Sequence, residues 1–367
     1  MFVKWLKLKN FRNYDDLFVE FSSGINLISG KNGQGKTNMV EAVMACALSK
    51  SPRTSHDEDM KKEQMPRAEV EICVVRDFGE LKLKMMLDNE LKKKFYLNGN
   101  ELKKVSDLFG NLVAVYFSPD DLTTVSGAPD TRRAFMDTDI SELSGAYYNL
   151  LARYEKVLAS RNKLLKTIHD KAVLLDQIEV YDEGLAHLAG KIIKTRKSFV
   201  SRLSKPANDA LKFISGGTDK LKLSYVGARG ETAEEIEAEI LKSLKNNLQR
   251  DMELGYTTVG PHRDDVRFEL NQKDAKVFAS QGQQRSIVLA LKIAETKVFE
   301  DEIGEKPVFI LDDIFSELDS SRQRKLYEIF SGNQVLMTGT IFKFKPKTTY
   351  TSHVVKNLAV KSTEKQK

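Results

Sequence analysis

The sequence predicts an α/β nucleotide-binding head interrupted by a mostly helical insertion. Three observations carry this expectation. An apolar strand, a glycine-rich loop and an apolar-striped helix follow one another within residues 25–48. A second apolar strand, ending in two carboxylates, stands at residues 306–313. Between about 130 and 213 the apolar period changes from that of strands to that of helices.

Residues Gly30 to Thr37 read G-K-N-G-Q-G-K-T and fit the phosphate-binding pattern G-x-x-x-x-G-K-[ST] without a mismatch. Ile25 to Ile28 supplies the strand before the loop; Met39, Val40, Val43, Met44, Ala47 and Leu48 supply helical spacing after it. Gly33 and Gly35 let backbone N–H groups turn inward around a phosphate where a Cβ would block close approach. Gly30, Lys31, Asn32 and Gln34 fill the rest of the cradle, and the helix that follows directs its positive end at the same anion. Lys36 is expected to reach the β- and γ-phosphates, and the Thr37 hydroxyl to hold Mg²⁺. The motif implies a nucleoside triphosphate as ligand.

Bulk composition narrows the class. Hydrophobic content of 41% with 30% charged residues describes a globular protein, and 367 residues allow two or three compact units. There is no long apolar run and no signal-like N-terminus, so the expectation is a cytoplasmic protein with no membrane contact. Cys46 and Cys73 sit in apolar periodic segments and read as reduced core thiols. From Ile341 onward seven lysines stand against one acid, Glu364, which accounts for the whole net charge of +6. Total charge therefore does not establish a nucleic-acid-binding face on the rest of the chain.

Taken in order, residues 1–29 read as strands at Val3–Phe11, Leu17–Phe21 and Ile25–Ile28. Residues 51–65 are polar and irregular, a mobile connection. Alternation resumes at Val70–Val74, Leu81–Leu87 and Phe95–Leu97, with a hairpin turn at Asn98-Gly99 and an apolar strand at Leu112–Phe117. Two heptad seams follow, Tyr147 to Ile168 and Ile178 to Phe199, implying an antiparallel pair of helices of about 30 residues, roughly 45 Å each. They form either an ordinary helical subdomain or a projecting arm. Gly216-Gly217 ends that region, and Thr232-x-x-Glu235 opens a further helix as a capping box. Strand-and-turn chemistry covers 255–270. Then come a helix at Ser286–Phe299, a strand at Val308–Leu311, a helix at Ser320–Phe330 and a strand at Gln334–Met337. The resulting division is 1–118 and 256–340 for the head, 119–255 for the insertion, and 341–367 for a basic tail.

Beyond the loop, the strand ending in Asp312-Asp313 would bring Asp312 to the Mg²⁺ shell and let Asp313 orient or deprotonate a water. The acids are followed by Ser316-Glu317-Leu318-Asp319. Ahead of them, Ser280-Gln281-Gly282-Gln283-Gln284-Arg285 opens an apolar helix. That segment reads either as a simple helix cap or as a second anion site. His262-Arg263-Asp264-Asp265 holds too few convergent ligands for a metal; a structural turn or a DNA or nucleotide contact fits better. Arg132 and Arg133 are either a solvated pair or partners for a phosphate or an acid across an interface.

The order of phosphate loop, insertion, signature and acidic strand is similar to that of the ATP-binding-cassette ATPases, whose signature covers the γ-phosphate held by a second subunit. Within them the chain resembles the RecF family of bacterial recombinational-repair proteins. The resemblance rests on Ser118–Leu122, Gly127–Arg133 with Asp137, Arg161-Asn162, Gly260–Asp265, Ser280–Arg285 and Leu311–Asp319, besides the phosphate loop. It implies a P-loop NTPase head of the cassette type with a helical arm, and ATP and Mg²⁺ as cofactors. It further implies an ATP-dependent homodimer that binds double-stranded DNA beside single-strand gaps. With RecR and RecO such a dimer helps load RecA. Slow, DNA-stimulated hydrolysis would act as a switch.

Two departures qualify the resemblance. The usual catalytic glutamate is Asp313, one methylene shorter, and the usual switch histidine is replaced within Met337-Thr338-Gly339-Thr340, leaving Thr338 as a substitute γ-phosphate sensor. The rival reading is a structural DNA tether related to the chromosome-maintenance ATPases. Those tethers need helices of several hundred residues, for which this insertion is too short.

Overall fold

Alternating apolar residues in Phe2–Phe11 (β1) and Tyr14–Glu20 (β2) turn Leu6, Leu8, Leu17 and Val19 to one face, and all four are buried. The structure, a computed structural model, describes residues 1–88, 93–168, 171–317, 320–330, 332–342 and 345–365. Leu318 and Asp319, singled out above, and two of the seven C-terminal lysines, Lys343 and Lys367, lie outside the described residues. Two compact units result: residues 1–122 with 289–367, and residues 123–288.

Among its described residues the first unit has two sheets. After Ile25–Ser29 (β3) and Lys36–Leu48 (α1), the strands Arg67–Arg76 (β4), Gly79–Asp88 (β5), Lys93–Leu97 (β6) and Asn100–Glu101 (β7) join an antiparallel sheet of order β2-β1-β4-β5-β6-β7. The Asn98-Gly99 turn takes positive φ at both residues, as its sequence predicts. The sheet's outer face is laced by Lys84–Glu69 at 2.7 Å, Lys4–Glu80 at 2.6 Å and Lys94–Glu101 at 3.6 Å, so its lysines are offset across the strands.

The second sheet takes Ala114–Phe117 (β8) and, from the C-terminal part, Val308–Asp312 (β12), Val335–Gly339 (β13), Tyr350–Lys356 (β14) and Ala359–Lys365 (β15), ordered β15-β14-β3-β13-β12-β8. Only its edge strand β15 runs antiparallel to its neighbour. β12 and β13 are buried at every position, which explains why they read as unbroken apolar runs. One core joins inward residues of both sheets with α1, whose residues from Met39 to Leu48 are all buried. Cys46 and Cys73 are buried free thiols, and burial raises both pKa values, Cys46 to about 12.

Two expectations change in this unit. The residues read as a basic tail contain a β-hairpin on the parallel sheet, because His353 and Val355 have an apolar face to bury against β3. The connection at 51–65, read as mobile, is anchored. Arg53 bonds Glu41 at 3.0 Å and Asn38 at 2.9 Å, Met60 is buried, and Lys93 pairs Asp57 at 2.8 Å.

The second unit is mostly helical: Thr123–Ser126 (α2), Pro129–Leu143 (α3), Gly145–Thr167 (α4), Lys171–Ser215 (α5) and Ala233–Leu254 (α6). Proline at the first position of α3 removes an N–H that would have no partner. The seams hold: Tyr147, Tyr154, Arg161 and Leu165 on α4, and Ile178, Leu185, Leu188, Ile192 and Phe199 on α5, are buried. Helix lengths differ from expectation, at 23 and 45 residues, because the buried stripe of α5 continues through Leu203, Ala207 and Leu211 past Pro206. The capping box forms, with Glu235 N–H on Thr232 Oγ1 at 3.1 Å and Thr232 N–H on Glu235 Oε2 at 3.3 Å.

A small antiparallel sheet, Leu221–Val226 (β9), Asp265–Leu270 (β10) and Lys273–Asp274 (β11), completes the unit with Ala275–Phe278 (α7). The expected return to the head at residue 256 therefore moves to Leu289. β10 pairs with β9 along its whole length and so stays with the insertion. Gln281–Ile303 (α8) starts in the second unit and ends in the first, and Ser320–Ile329 (α9) follows β12.

Candidate nucleotide site

Parallel pairing sets β3, β13 and β12 side by side with their C-terminal ends together: Ile28 is level with Thr338, and Thr338 with Asp312. Ligands of open parallel sheets gather at that end. The phosphate loop leaves β3 there. Gly33 and Gly35 have φ of +77° and +92°, where side chains are strained. A Cβ on Gly35 would also lie 2.6 Å from the Tyr14 hydroxyl oxygen, and a Cβ on Gly30 2.5 Å from the Val355 carbonyl oxygen. α1 then starts at Lys36 with neither a side-chain cap nor an acid in its first turn. Its leading N–H groups are left to face an anion.

Lys36 folds over its own loop, donating to the carbonyls of Gly30 at 2.8 Å and Lys31 at 3.0 Å. Burial lowers its pKa, opposed by the charges of Asp313 and Asp312. Thr37 donates from Oγ1 to Asp312 Oδ1 at 2.9 Å, joining residues 275 positions apart. The same oxygen accepts from Thr338 Oγ1 at 2.6 Å, and Tyr116 donates its hydroxyl to Asp312 Oδ2 at 3.1 Å. Thr338 in turn accepts the Asp313 N–H at 3.0 Å. Asp313 has φ of +54°, a left-handed conformation that aspartate tolerates better than most residues.

Tyr116 was not legible as a site residue. Its β8 position next to β12, opposite Ile310, depends on strand pairing that no local pattern encodes. Burial and the Asp312 carboxylate both raise its pKa, keeping it a donor. Glu41, fully buried in α1, also escaped sequence reading; it gathers Arg12 at 2.5 Å, Arg53 at 3.0 Å and Ser51 at 2.5 Å beside the loop.

In the second unit, Ser280 and Gln283 form a reciprocal cap. Gln283 N–H donates to Ser280 Oγ at 3.2 Å and Ser280 N–H to Gln283 Oε1 at 3.0 Å. Ser286 Oγ bonds the Gly282 carbonyl at 2.9 Å, while Ser280 and Gln281 remain exposed. The cap is thus present in the structure.

The other motif residues knit this unit together. Arg132 grips Asp265 with two bonds of 2.6 and 2.9 Å and Arg133 donates to the Asp264 carbonyl at 2.8 Å, so the pair is not simply solvated. Arg161, fully buried, bonds Asp182 at 2.6 Å, Asp251 at 2.7 Å and Thr257 at 2.9 Å. Arg196 holds Asp137 at 2.7 and 2.9 Å. Both ring nitrogens of His262 are engaged within the unit. Its Nδ1 lies 2.6 Å from the Tyr154 hydroxyl and its Nε2 3.0 Å from the Thr257 carbonyl, so Nε2 carries the proton. Burial brings its pKa down to about 4. Among the described residues no cluster of three His, Cys, Asp or Glu side chains could hold a metal ion.

A family model described as the RecF/RecN/SMC N terminal domain matches residues 2–364. The DNA replication and repair protein RecF of Lachnoclostridium phytofermentans is 39% identical over 340 residues, covering 93% of both chains. The chain belongs to the RecF family. The RecF of Alkaliphilus oremlandii is 38% identical over 347 residues, covering 94% of each. A solved structure described as the recombination mediator protein RecF-ATPrS in the RecFOR pathway superposes with a TM-score of 0.92 at 32% identity, covering 98% of both chains. An SMC head bound to the C-winged helix domain of ScpA superposes with a TM-score of 0.57 at 15% identity, a likeness of fold alone, covering 100% of this chain and 98% of that one. This RecF-family chain is accordingly a P-loop ATPase head of the cassette and SMC type. Among its described residues no helix is long and apolar enough to cross a membrane.

Proposed function

We propose that this RecF-family chain is an ATP-operated switch in DNA replication and recombinational repair. ATP bound at Gly30–Thr37 joins two copies; the dimer binds DNA where double strand meets single-strand gap and, with RecR and RecO, helps load RecA. Hydrolysis resets it. The observation that carries the reading is the Thr37–Asp312 contact at 2.9 Å, which links the phosphate loop to the acidic strand. Relatives named as DNA replication and repair proteins, and a RecF structure described with ATP, support it.

One hydroxyl and one carboxylate oxygen within hydrogen-bond distance fit a hard cation that keeps most of its ligands as water and phosphate. When bound, Mg²⁺ would neutralise charge on the β- and γ-phosphates. Thr37 and Asp312 would hold it. Lys36 leaves the Gly30 and Lys31 carbonyls for the phosphates, while the α1 N-terminus supplies further N–H donors. Asp313 accepts the proton of the attacking water. Its carboxylate is one methylene shorter than a glutamate, which suits slow turnover. Thr338 senses the γ-phosphate through its bonds to the Asp312 carboxylate and the Asp313 N–H. Ser280, Gln281, Gly282 and Gln283 of one copy close over the nucleotide of the other.

The test is RecA loading onto gapped DNA coated with single-strand-binding protein, with RecR, RecO and ATP, beside an ATPase assay with and without that DNA. Loading that requires this chain and ATP supports the reading. ATP binding with DNA retention but no loading favours the tether.

A further inference from the structure

The residues that read as a basic tail meet the phosphate loop at two points. β14 continues the parallel register of β3, and its Val355 carbonyl oxygen packs so close to Gly30 that a Cβ there would lie only 2.5 Å from it. One residue beyond the end of β14, the Asn357 N–H donates to Gln34 Oε1 at 2.5 Å. Asn357 and Leu358 have φ of +51° and +63°, the geometry of a tight two-residue hairpin turn, so this N–H is presented by a rigid turn. Behind it, Val355 is part of the core shared with α1, and Leu358 and Val360 pack on that core. The hairpin is therefore fastened to the head on one side and to two of the eight loop residues on the other.

Gln34 lies between the two glycines whose positive φ values shape the cradle. A side chain held at that position limits the rotation of both neighbouring peptides. Gly30 matters for a second reason: its carbonyl accepts from Lys36 Nζ, so a shift of Val355 reaches the lysine through one residue.

We propose that the β14–β15 hairpin is a working part of the nucleotide site: it braces the phosphate loop through Val355 and Asn357, with Gln34 as a positioning residue. Nucleotide occupancy and hairpin order are then coupled, and by linkage each strengthens the other. The inference rests on the reading of Gly30–Thr37 as a nucleotide site.

Hydrogen exchange of the full chain, with ATP or ADP at saturation and a separate binding measurement by equilibrium dialysis, tests it. Nucleotide should slow exchange of peptides spanning Tyr350–Lys365 by roughly tenfold or more, with little change in β5. Gln34→Ala should abolish that protection at saturating nucleotide, and Gln34→Glu, which keeps an acceptor, should restore it. Val354→Gly, which loosens the half-exposed middle of β14 away from the loop, should weaken nucleotide binding by about threefold to tenfold. Bound nucleotide that leaves hairpin exchange unchanged, or protection that survives Gln34→Ala, overturns the inference alone. Absence of nucleotide binding by the wild-type chain overturns this inference and the nucleotide site together.

Discussion

Thr338 stands 2.6 Å from Asp312 and uses its one hydroxyl twice, donating to the Asp312 carboxylate and accepting the Asp313 N–H. A single side chain on β13 thus holds the Asp312 carboxylate and the backbone of Asp313, the residue after β12. Thr338→Val keeps the shape and removes the hydroxyl. ATP turnover should fall about tenfold, equivalent to ~1.4 kcal/mol of barrier, with ATP affinity changed by less than about threefold. Turnover equal to wild type would remove Thr338 from the positioning of the acids.

Asp313→Asn preserves volume and removes the base. ATP binding and ATP-linked association should persist while hydrolysis stops, giving a longer-lived complex on DNA. Steady-state phosphate release at the wild-type rate would exclude Asp313 as the proton acceptor.

The legible parts of this site were those written in contiguous residues. Gly30–Thr37 and Asp312 carry their chemistry in local order, and the strands before each are apolar runs that only a buried parallel sheet accommodates. Tyr116 and the Gln34–Asn357 bond depend on which strands become neighbours, information spread over more than 190 residues for Tyr116–Asp312 and over 300 for Asn357–Gln34. The hairpin was hidden by composition, since its exposed lysines mask the two buried positions, His353 and Val355, that hold it. Arg161 falls on a heptad seam, but its buried partners come from elsewhere in the chain and are not written in that spacing. Buried among Asp182, Asp251 and Thr257, it is part of the core.

His353 gives a pH prediction. It is fully buried, 3.1 Å from Asn26 Oδ1 and 2.8 Å from Ser362 Oγ, and burial lowers its pKa from 6.5 to about 4. The unfolded chain therefore binds the extra proton first, so this group's contribution to stability is present above pH 6.5 and is lost as pH falls toward 4, by ~3 kcal/mol at most. His262 acts in the same direction, while Asp264, raised to about 6 chiefly by burial, favours the folded state on acidification and opposes both. His353→Gln should flatten the fall of the thermal midpoint between pH 6.5 and 4. An unchanged slope would show that His353 is protonated without cost in the folded protein.

Ser280→Arg distinguishes a cap from a shared site. Loss of the cap alone should cost about 1 kcal/mol of stability and leave ATP-linked association intact. If Ser280 closes over a second copy's nucleotide, ATP binds each copy but the dimer does not form. Mixing Ser280→Arg with Lys36→Ala chains concentrates both lesions in one composite site and leaves the other whole, so ATPase activity should partly recover. No recovery at any ratio, with both variants folded, would count against sharing.

Sedimentation of the wild-type chain and of Lys36→Ala, with and without ATP and double-stranded DNA, tests the switch most directly. Removing the ammonium that serves the phosphates should cost about 2–3 kcal/mol of ATP binding. The expected result is a wild-type chain that doubles in mass with ATP and is retained on DNA in that state, while Lys36→Ala remains monomeric at the same ATP concentration. A Lys36→Ala chain that dimerises with ATP as well as the wild type would contradict the account.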